Sequence, residues 1–283
     1  MNRFCRYLKL GLPFVVKKII KINYLCAQIQ KFMIQRYFIR FAYDGTNYHG
    51  WQLQPNAVSV QEVMTEIMQH LFGPHFMLTA AGRTDAGVHA RMMYAHFDTE
   101  KKLIDVEILA KKLDLMMPSD IKIFEVIPVR PDAHARFDAT SRTYEYWMAD
   151  EKDPFNISFY TRMYGNLDYE AMNRAAKCLF DYTDFTSFSK AHTDVKTNNC
   201  KIMQAYWEKR GIYWVFTIQA DRFLRNMVRA VVGTLFEVGR GKMDEAGFRA
   251  VIESENRSNA GTSVHAQGLF LTEVSYPEEL FQR

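Results

Sequence analysis

Hydrophobic and polar positions recur with two different periods along the chain, and these periods predict alternating strands and helices. In the first part, alternation predicts a strand over residues 35–43, which ends at a turn formed by Asp44 and Gly45. A helical spacing of apolar residues follows Ser59, which is predicted to form a capping box with Glu62. This helix is predicted to stop near Gly73. Further strands are predicted at 75–80, 93–97 and 121–129, and a further helix at 105–117.

The second part of the chain repeats this mixture after a break near residues 130–136. The predicted elements are a strand at 143–148, a helix at 169–180, a hairpin at 201–220, helices at 222–238 and 244–254, and a strand at 269–274. Both parts therefore belong to the α+β class. The predicted division is a basic extension at 1–32, an N-terminal α+β subdomain at 33–135 and a C-terminal α+β subdomain at 136–283.

Charge and composition exclude only a few classes of function. The chain has 36 basic and 32 acidic residues, but seven of the basic ones and none of the acidic ones lie within residues 1–32. The rest of the chain is slightly acidic, so any RNA-binding surface must be a local patch. The four cysteines have no CxxC spacing, which predicts neither a disulfide framework nor a zinc site and favours a reducing, cytoplasmic setting.

The first 32 residues require a separate interpretation. Their longest apolar run, residues 10–16, contains Pro13 and is followed by two lysines. A membrane span needs about 20 apolar residues, and no clean cleavage site follows, so we predict neither a membrane anchor nor a signal peptide. We interpret the segment as a dispensable basic extension, or as the result of a misplaced start with Met33 as the alternative first residue.

Residues 80–90, AAGRTDAGVHA, offer the richest candidate chemistry. Their small residues allow a sharp turn and a close approach to a ligand. Among them stand Arg83, Asp85 and His89, and a nearby arginine can hold a carboxylate ionised and oriented. An ordinary turn in which Asp85 binds backbone amides would explain the pattern equally well. A metal site that also used His96 would need a ligand that the local sequence does not supply.

Two further segments carry basic and aromatic residues. Strand alternation places Arg142, Tyr144 and Tyr146 on one face, which suits stacking on a base and contact with phosphate, although tyrosines packed on a core are the commoner outcome. In residues 221–242, apolar positions recur at helical spacing beside a basic stripe of Arg222, Arg225 and Arg229. Such a stripe is usually solvated. Arg229, however, falls inside the apolar stretch and implies an acidic partner, for which Asp85 is the candidate.

Four stretches together resemble the TruA-type tRNA pseudouridine synthases, and the similarity extends from residue 34 to about residue 275. They occur in the order and at intervals compatible with that family. They are FAYDGTNYHGWQ at 41–52, GRTDAGVHA at 82–90, ARFDATSRTYEY at 135–146 and FLRNMVRAVVGTLFEVGRG at 223–241. Four such motifs in register are far more specific than any one of them.

The resemblance implies a pseudouridine synthase fold, with two α/β subdomains of antiparallel-rich sheets flanking a basic RNA-binding cleft, usually in a homodimer. It implies isomerisation of uridine in the tRNA anticodon stem-loop, at positions 38, 39 and 40, without a metal or organic cofactor. Asp85 matches the catalytic aspartate, acting as nucleophile or base, and Tyr144 matches the tyrosine that stacks on the target base. Arg83 and Arg229 match the substrate-binding arginines around the aspartate, and His89 is expected to be structural.

The sequence departs from the family pattern in residues 1–32 and again in TSVHAQGLFL at 262–271, near the expected cleft. Two rival functions follow from the residues themselves. One is an RNA-binding protein in which the Asp85 loop is only structural. The other is a metal-dependent nuclease that uses Asp85 with Asp44 and histidines. Within the synthase reading, Asp85 could attack the sugar, attack the base or abstract a proton.

Overall fold

A computed structural model describes residues 34–100, 103–190 and 197–282. The predicted extension at 1–32 lies outside these residues. The strands are β1 (Gln35–Tyr43), β2 (Thr79–Ala80), β3 (His89–Thr99), β4 (Ile121–Pro128), β5 (Ser141–Ala149), β6 (Thr161–Arg162), β7 (Ile202–Arg210), β8 (Tyr213–Ala220) and β9 (Leu269–Ser275). The helices are α1 (Val60–Phe72), α2 (Val106–Met116), α3 (Tyr169–Cys178), α4 (Met227–Gly239) and α5 (Glu245–Glu253). The α+β class is confirmed.

One mixed sheet runs through the molecule in the order β4-β1-β3-β9-β5-β8-β7, with β2 paired to β3 and β6 paired to β5. Its pairs are antiparallel except for β3–β9 and β5–β6. The last strand, β9, therefore lies between the strands of the two halves, with His89 opposite Phe270. The boundary predicted at residues 135 and 136 falls in the loop between β4 and β5. The site must be sought where β3 and β9 meet.

Local sequence signals set several element boundaries as predicted. The Glu62 amide donates to Ser59 Oγ at 3.2 Å, and the Ser59 amide donates to Glu62 Oε2 at 3.2 Å, which confirms the capping box. Helix α1 ends at Phe72, and Gly73 follows it with φ 94°. The hairpin predicted at 201–220 forms from β7 and β8, with Gly211 at φ 63° between them.

Two predicted elements are shorter in the structure. The strand predicted at 75–80 is reduced to Thr79–Ala80, because the preceding residues turn back and Gln69 Nε2 donates to the Pro74 carbonyl at 3.1 Å. The helix predicted at 222–238 begins only at Met227, because Asn226 is left-handed with φ 66° and its Nδ2 donates to Ser263 Oγ at 2.6 Å. The predicted basic stripe is therefore divided between α4 and the loop before it.

The apolar core is continuous across both halves of the chain and buries helix α4 on nearly every side. A helix in that position must be apolar all round, which explains its run of valine and leucine. The helices that the structure describes include none long and apolar enough to cross a membrane.

Candidate active site

The loop that carries Asp85 joins β2 to β3 and is fixed on both sides of the carboxylate. Residues 85–88 form a turn in which the Val88 amide donates to the Asp85 carbonyl at 3.2 Å, and Gly87 adopts φ 75°. A left-handed position of this kind favours glycine. On the other side, the Thr84 hydroxyl shares a hydrogen bond of 2.8 Å with the Tyr43 hydroxyl. The carboxylate therefore projects from a well-supported backbone.

Two glycines allow the segment after β1 to support this loop at very short range. A Cβ on Gly45 would lie 2.1 Å from the Val88 carbonyl oxygen, and one on Gly50 would lie 2.4 Å from that of Thr84. Gly50 also adopts φ 90°, where other residues are strained. The Trp51 amide donates to the Thr84 carbonyl at 3.3 Å and completes the contact. The two glycines in the 41–52 motif thus serve the Asp85 loop.

The Asp85 carboxylate lies between two arginines. Arg229 Nη1 is 3.4 Å from Asp85 Oδ2, and Arg225 Nε is 3.9 Å from Asp85 Oδ1. Arg229 is fixed in turn, because its Nε donates to the Val264 carbonyl at 2.7 Å. The Asp85 side chain remains 25% exposed, so a substrate can reach it. The acidic partner that the sequence implied for Arg229 is Asp85.

The other predicted arginine, Arg83, forms no ion pair with Asp85, and the structure adds an arginine partner that the sequence did not single out. Arg83 is exposed and forms no ion pair with Asp85 or with any other carboxylate in the part of the chain that the structure describes. Arg225 occupies the second position beside Asp85. The sequence showed Arg225 four residues before Arg229 in the basic stripe. It did not distinguish Arg225 from Arg222 as the partner of Asp85.

Tyr144 lies on β5 close to the carboxylate but is largely covered. Only 9% of the residue is exposed, and its ring meets the Phe223 ring edge-on with centroids 5.1 Å apart. Burial raises the pKa of Tyr144 to about 12, with the Arg142 charge opposing this shift and the Asp85 charge adding to it. The hydroxyl is therefore protonated at neutral pH. Because so little of the ring is exposed, full stacking of a base would require a neighbour such as Phe223 to move.

The face that Tyr144 shares with Arg142 and Tyr146 is buried. Tyr146 is fully covered and donates to Thr161 Oγ1 at 2.7 Å, and Arg142 is only 9% exposed. Burial lowers the pKa of Arg142, whose guanidinium donates to four backbone carbonyls. The expectation that Arg142 contacts phosphate is therefore wrong, and the alternative, a face packed on the core, is what the structure shows.

His89 connects three parts of the site. Its Nε2 lies 3.0 Å from the Gln267 carbonyl oxygen, while its Nδ1 lies 3.0 Å from both the Gly45 amide and Asp44 Oδ1. Burial lowers the pKa of His89, although the Asp44 carboxylate opposes this shift. A neutral ring that donates from Nε2 leaves Nδ1 to accept the Gly45 amide. These contacts are structural, as expected for this residue.

The segment that departs from the family pattern supports the same site. The Val264 amide donates to the Arg229 carbonyl at 3.1 Å, in addition to the side-chain contact already described. A Cβ on Gly233 of α4 would lie 1.9 Å from the Thr262 carbonyl oxygen, so the two backbones are in direct contact. The unusual residues therefore change a segment that orients Arg229.

A partly exposed carboxylate flanked by two guanidinium groups on a well-supported loop is an arrangement suited to acid–base or nucleophilic chemistry. Both Asp85 oxygens face cations of the protein, which are not the neighbours of a metal ligand. In the three described ranges, no group of three or more His, Cys, Asp or Glu side chains could hold a metal ion.

Comparison with known proteins identifies the family. Residues 39–138 and 175–277 match the family model described as tRNA pseudouridine synthase. The chain is 57% identical over 248 residues to tRNA pseudouridine synthase A of Parabacteroides distasonis, covering 88% of this chain and 98% of that protein. It is 56% identical over 250 residues to the protein of that name from Bacteroides fragilis, covering 88% and 99%. The corresponding Geobacter protein is 38% identical over 239 residues, covering 83% and 96%. The chain therefore belongs to the tRNA pseudouridine synthase family, a family of isomerases.

Proposed function

We propose that this protein converts uridine to pseudouridine in tRNA and that Asp85 is its catalytic residue. The observation that carries the proposal is the Asp85 carboxylate, which is 25% exposed and has an arginine on each oxygen. Those ion pairs fix the direction of the carboxylate before substrate arrives, and such preorganisation is a principal source of catalytic power.

The proposed reaction is an isomerisation and needs no oxidant, reductant or net hydrolysis. The N1–C1′ bond breaks, the uracil turns, and a C5–C1′ bond forms, while the hydrogen on C5 leaves as a proton and N1 gains one. After the first bond breaks, Asp85 can bond covalently to C1′ and be displaced when C5 attacks, or it can take the C2′ proton to give a glycal and return that proton when the C5–C1′ bond forms. It can then remove the C5 proton. One carboxylate in two successive roles is the simplest assignment.

Catalysis also requires the target uridine to leave its stack, which costs a few kcal/mol and least in a loop. We assign Arg83 and Arg229 to substrate binding, and Tyr144 to contact with the extracted base. Arg83 is exposed and free of carboxylate partners in the described ranges, which leaves its guanidinium available to RNA. Movement of Phe223 would open the Tyr144 ring for stacking.

The finer assignment rests on the family resemblance. We propose that the targets are positions 38, 39 and 40 of the anticodon stem-loop, bound in a basic cleft between the two halves. We further propose a homodimer that acts in the cytoplasm. Sedimentation of the free protein should give twice the chain mass, and a monomeric mass would contradict the dimer.

Unmodified tRNA transcripts test the target assignment directly. We expect pseudouridine in transcripts with a single uridine at position 38, 39 or 40, as detected by chemical mapping of each position. A matched transcript with cytidine at all three positions should remain unmodified. Pseudouridine in that transcript, or at other positions only, would contradict the anticodon assignment while leaving the isomerase chemistry intact.

A metal-dependent nuclease is the competing enzyme, and the geometry disfavours it. Asp44, the second carboxylate in that hypothesis, contacts His89 and Thr46 instead of joining Asp85. We expect pseudouridine formation to continue in excess chelator and the tRNA to stay intact. Chelator-sensitive cleavage of the tRNA would favour the nuclease.

A further inference from the structure

Three separate segments converge on the buried guanidinium of Arg142. Its Nη2 donates to the Ala81 carbonyl at 3.0 Å and to the Arg136 carbonyl at 2.5 Å. Its Nη1 donates to the Asp221 carbonyl at 2.7 Å and to the Ala139 carbonyl at 2.9 Å. One side chain thus holds together the loop before β3, the loop before β5 and the loop before α4.

Each of these segments carries an arginine at or near its anchored carbonyl. These residues are Arg83, Arg136 and Arg222, which we call the arginine cluster. Arg83 and Arg136 are exposed and Arg222 is half-buried. Within the residues that the structure describes, none of the three forms an ion pair with a carboxylate. The cluster is therefore a concentration of positive charge that no described carboxylate neutralises in an ion pair.

The three charges lie close enough to affect one another. Partial burial lowers the pKa of Arg136, and the charges of Arg83 and Arg222 lower it further. Holding like charges together is unfavourable unless an anion is also present. The buried hydrogen bonds of Arg142 keep the segments together in spite of this repulsion.

The cluster and Arg142, which anchors it, border the candidate active site at three points. Arg83 stands two residues before Asp85 on the same loop, and Arg142 stands two residues before Tyr144 on β5. Phe223, which follows Arg222 directly, contacts the Tyr144 ring. An anion bound by the cluster would therefore lie beside the position of the reacting nucleotide.

We propose that the arginine cluster binds a backbone phosphate of the RNA substrate next to the target uridine, and that Arg142 is the positioning residue that assembles it. The inference rests on the proposed function and adds a site for the phosphodiester. Guanidinium groups suit this role because their planar forks bind phosphate oxygens in pairs. A phosphate held there would fix the strand while the uridine leaves its stack.

The salt dependence of tRNA binding tests the site. We would compare the wild type with Arg136→Gln and Arg222→Gln, both of which leave the Arg142 hydrogen bonds to backbone carbonyls in place. Each substitution should weaken binding of an unmodified tRNA transcript about tenfold, since a charged hydrogen bond to phosphate is lost. Each should also make the plot of log affinity against log salt concentration shallower by roughly 0.7 to 1.

Arg174 provides the matched control. It is an exposed arginine on α3 without a carboxylate partner in the described part of the chain, and it lines a groove with Val238 at the far end of α4 from Arg229. Arg174→Gln removes the same charge and should leave both the affinity and the slope at wild-type values.

In turnover assays, the cluster variants should raise KM more than they lower kcat.

The outcomes separate this site from the proposed function. The phosphate site would be overturned if the salt dependence of tRNA binding had the same slope in Arg136→Gln and Arg222→Gln as in the wild type and Arg174→Gln. This would hold even if the two cluster variants bound tRNA more weakly. An equal loss of slope in Arg174→Gln would also overturn it, because the charge effect would then be general. If the wild type binds tRNA with the expected slopes but forms no pseudouridine, the phosphate site stands and the proposed function fails.

Discussion

Asp85 has two arginine partners, and one of them is fixed by more contacts and is less exposed than the other. Arg229 is 3.4 Å from the carboxylate, 23% exposed in its side chain, and further fixed by the Val264 carbonyl. Arg225 is 3.9 Å away and 60% exposed, so water and ions screen its interaction. The first contact is part of the rigid framework of the site, whereas the second depends largely on the local solvent.

This difference predicts unequal effects of two matched substitutions. Arg229→Gln should lower kcat about 100-fold, because Asp85 loses the partner that sets its direction. Arg225→Gln should lower kcat only about tenfold, because the ion pair that it removes is screened by solvent. Single-turnover pseudouridine formation at saturating tRNA measures both. Equal losses, or a larger loss for Arg225→Gln, would contradict the assignment.

The sequence alone predicted the pairing of Arg229 with Asp85, because an arginine among apolar helix positions requires a counter-charge. It missed the separate positions of Arg225 and Arg222, since both were placed on a helix that begins only at Met227. It also left open whether the face of Arg142 contacts phosphate or packs on the core. Strand alternation indicates which side chains share a face, but the covering of that face comes from distant segments.

At the scale of elements, the Asp85 loop depends on the segment that follows β1. Gly50 combines φ 90° with a direct backbone contact, so Gly50→Ala adds both strain and a clash with the Thr84 carbonyl. We expect a loss of unfolding free energy of about 2 to 4 kcal/mol and a marked loss of activity. Urea denaturation and turnover measure the two effects.

Gly73 supplies the control for this prediction. It has nearly the same φ, 94°, but a Cβ there meets no atom within 4 Å. Gly73→Ala should therefore cost only about 1 kcal/mol from backbone strain, with turnover unchanged. If the two alanine variants lost equal stability and both kept full turnover, the close support of the Asp85 loop by Gly50 would be refuted.

The element boundaries show which signals a sequence contains. The capping box of α1 was predictable because Ser59 and Glu62 are three residues apart and interact locally. The start of α4 was not, because it depends on Asn226 binding Ser263, which is 37 residues away. Boundaries set by short-range chemistry can be inferred from sequence, and those set by tertiary contacts cannot.

At the scale of the whole molecule, the two halves share one sheet because the last strand, β9, lies between β3 and β5. The α+β class followed from the alternating periods. The position of β9 did not, because strand pairing between residues as far apart in the chain as His89 and Phe270 has no local signature. That pairing is what brings the Asp85 loop, Arg229 and the 262–267 segment together.

Buried histidines predict how the stability of the molecule depends on pH. Burial lowers the pKa of His96 to about 4, with the charges of Arg36 and His134 adding to the shift and those of Asp98 and Asp138 opposing it. Burial lowers the pKa of His89 and His134 as well. The unfolded chain then binds more protons than the folded one below pH 6.5.

The contribution of His96 is thus fully present above about pH 6.5 and is lost as the pH falls toward 4. It amounts to about 3 kcal/mol at most. Urea denaturation at several pH values should show a steep loss of stability in this window, and the loss should be shallower in His96→Gln. His75→Gln, at an exposed position, should follow the wild-type slope. An unchanged slope in His96→Gln would contradict the prediction.

We propose that Asp85 carries out the isomerisation. The most direct measurement is release of tritium from tRNA labelled at uridine C5, compared between the wild type and Asp85→Asn with tRNA binding measured in parallel. We expect release by the wild type without added metal or cofactor, and no release by Asp85→Asn even though it still binds tRNA. Equal release by both proteins would remove Asp85 from the mechanism, and binding without release by the wild type would favour an RNA-binding protein.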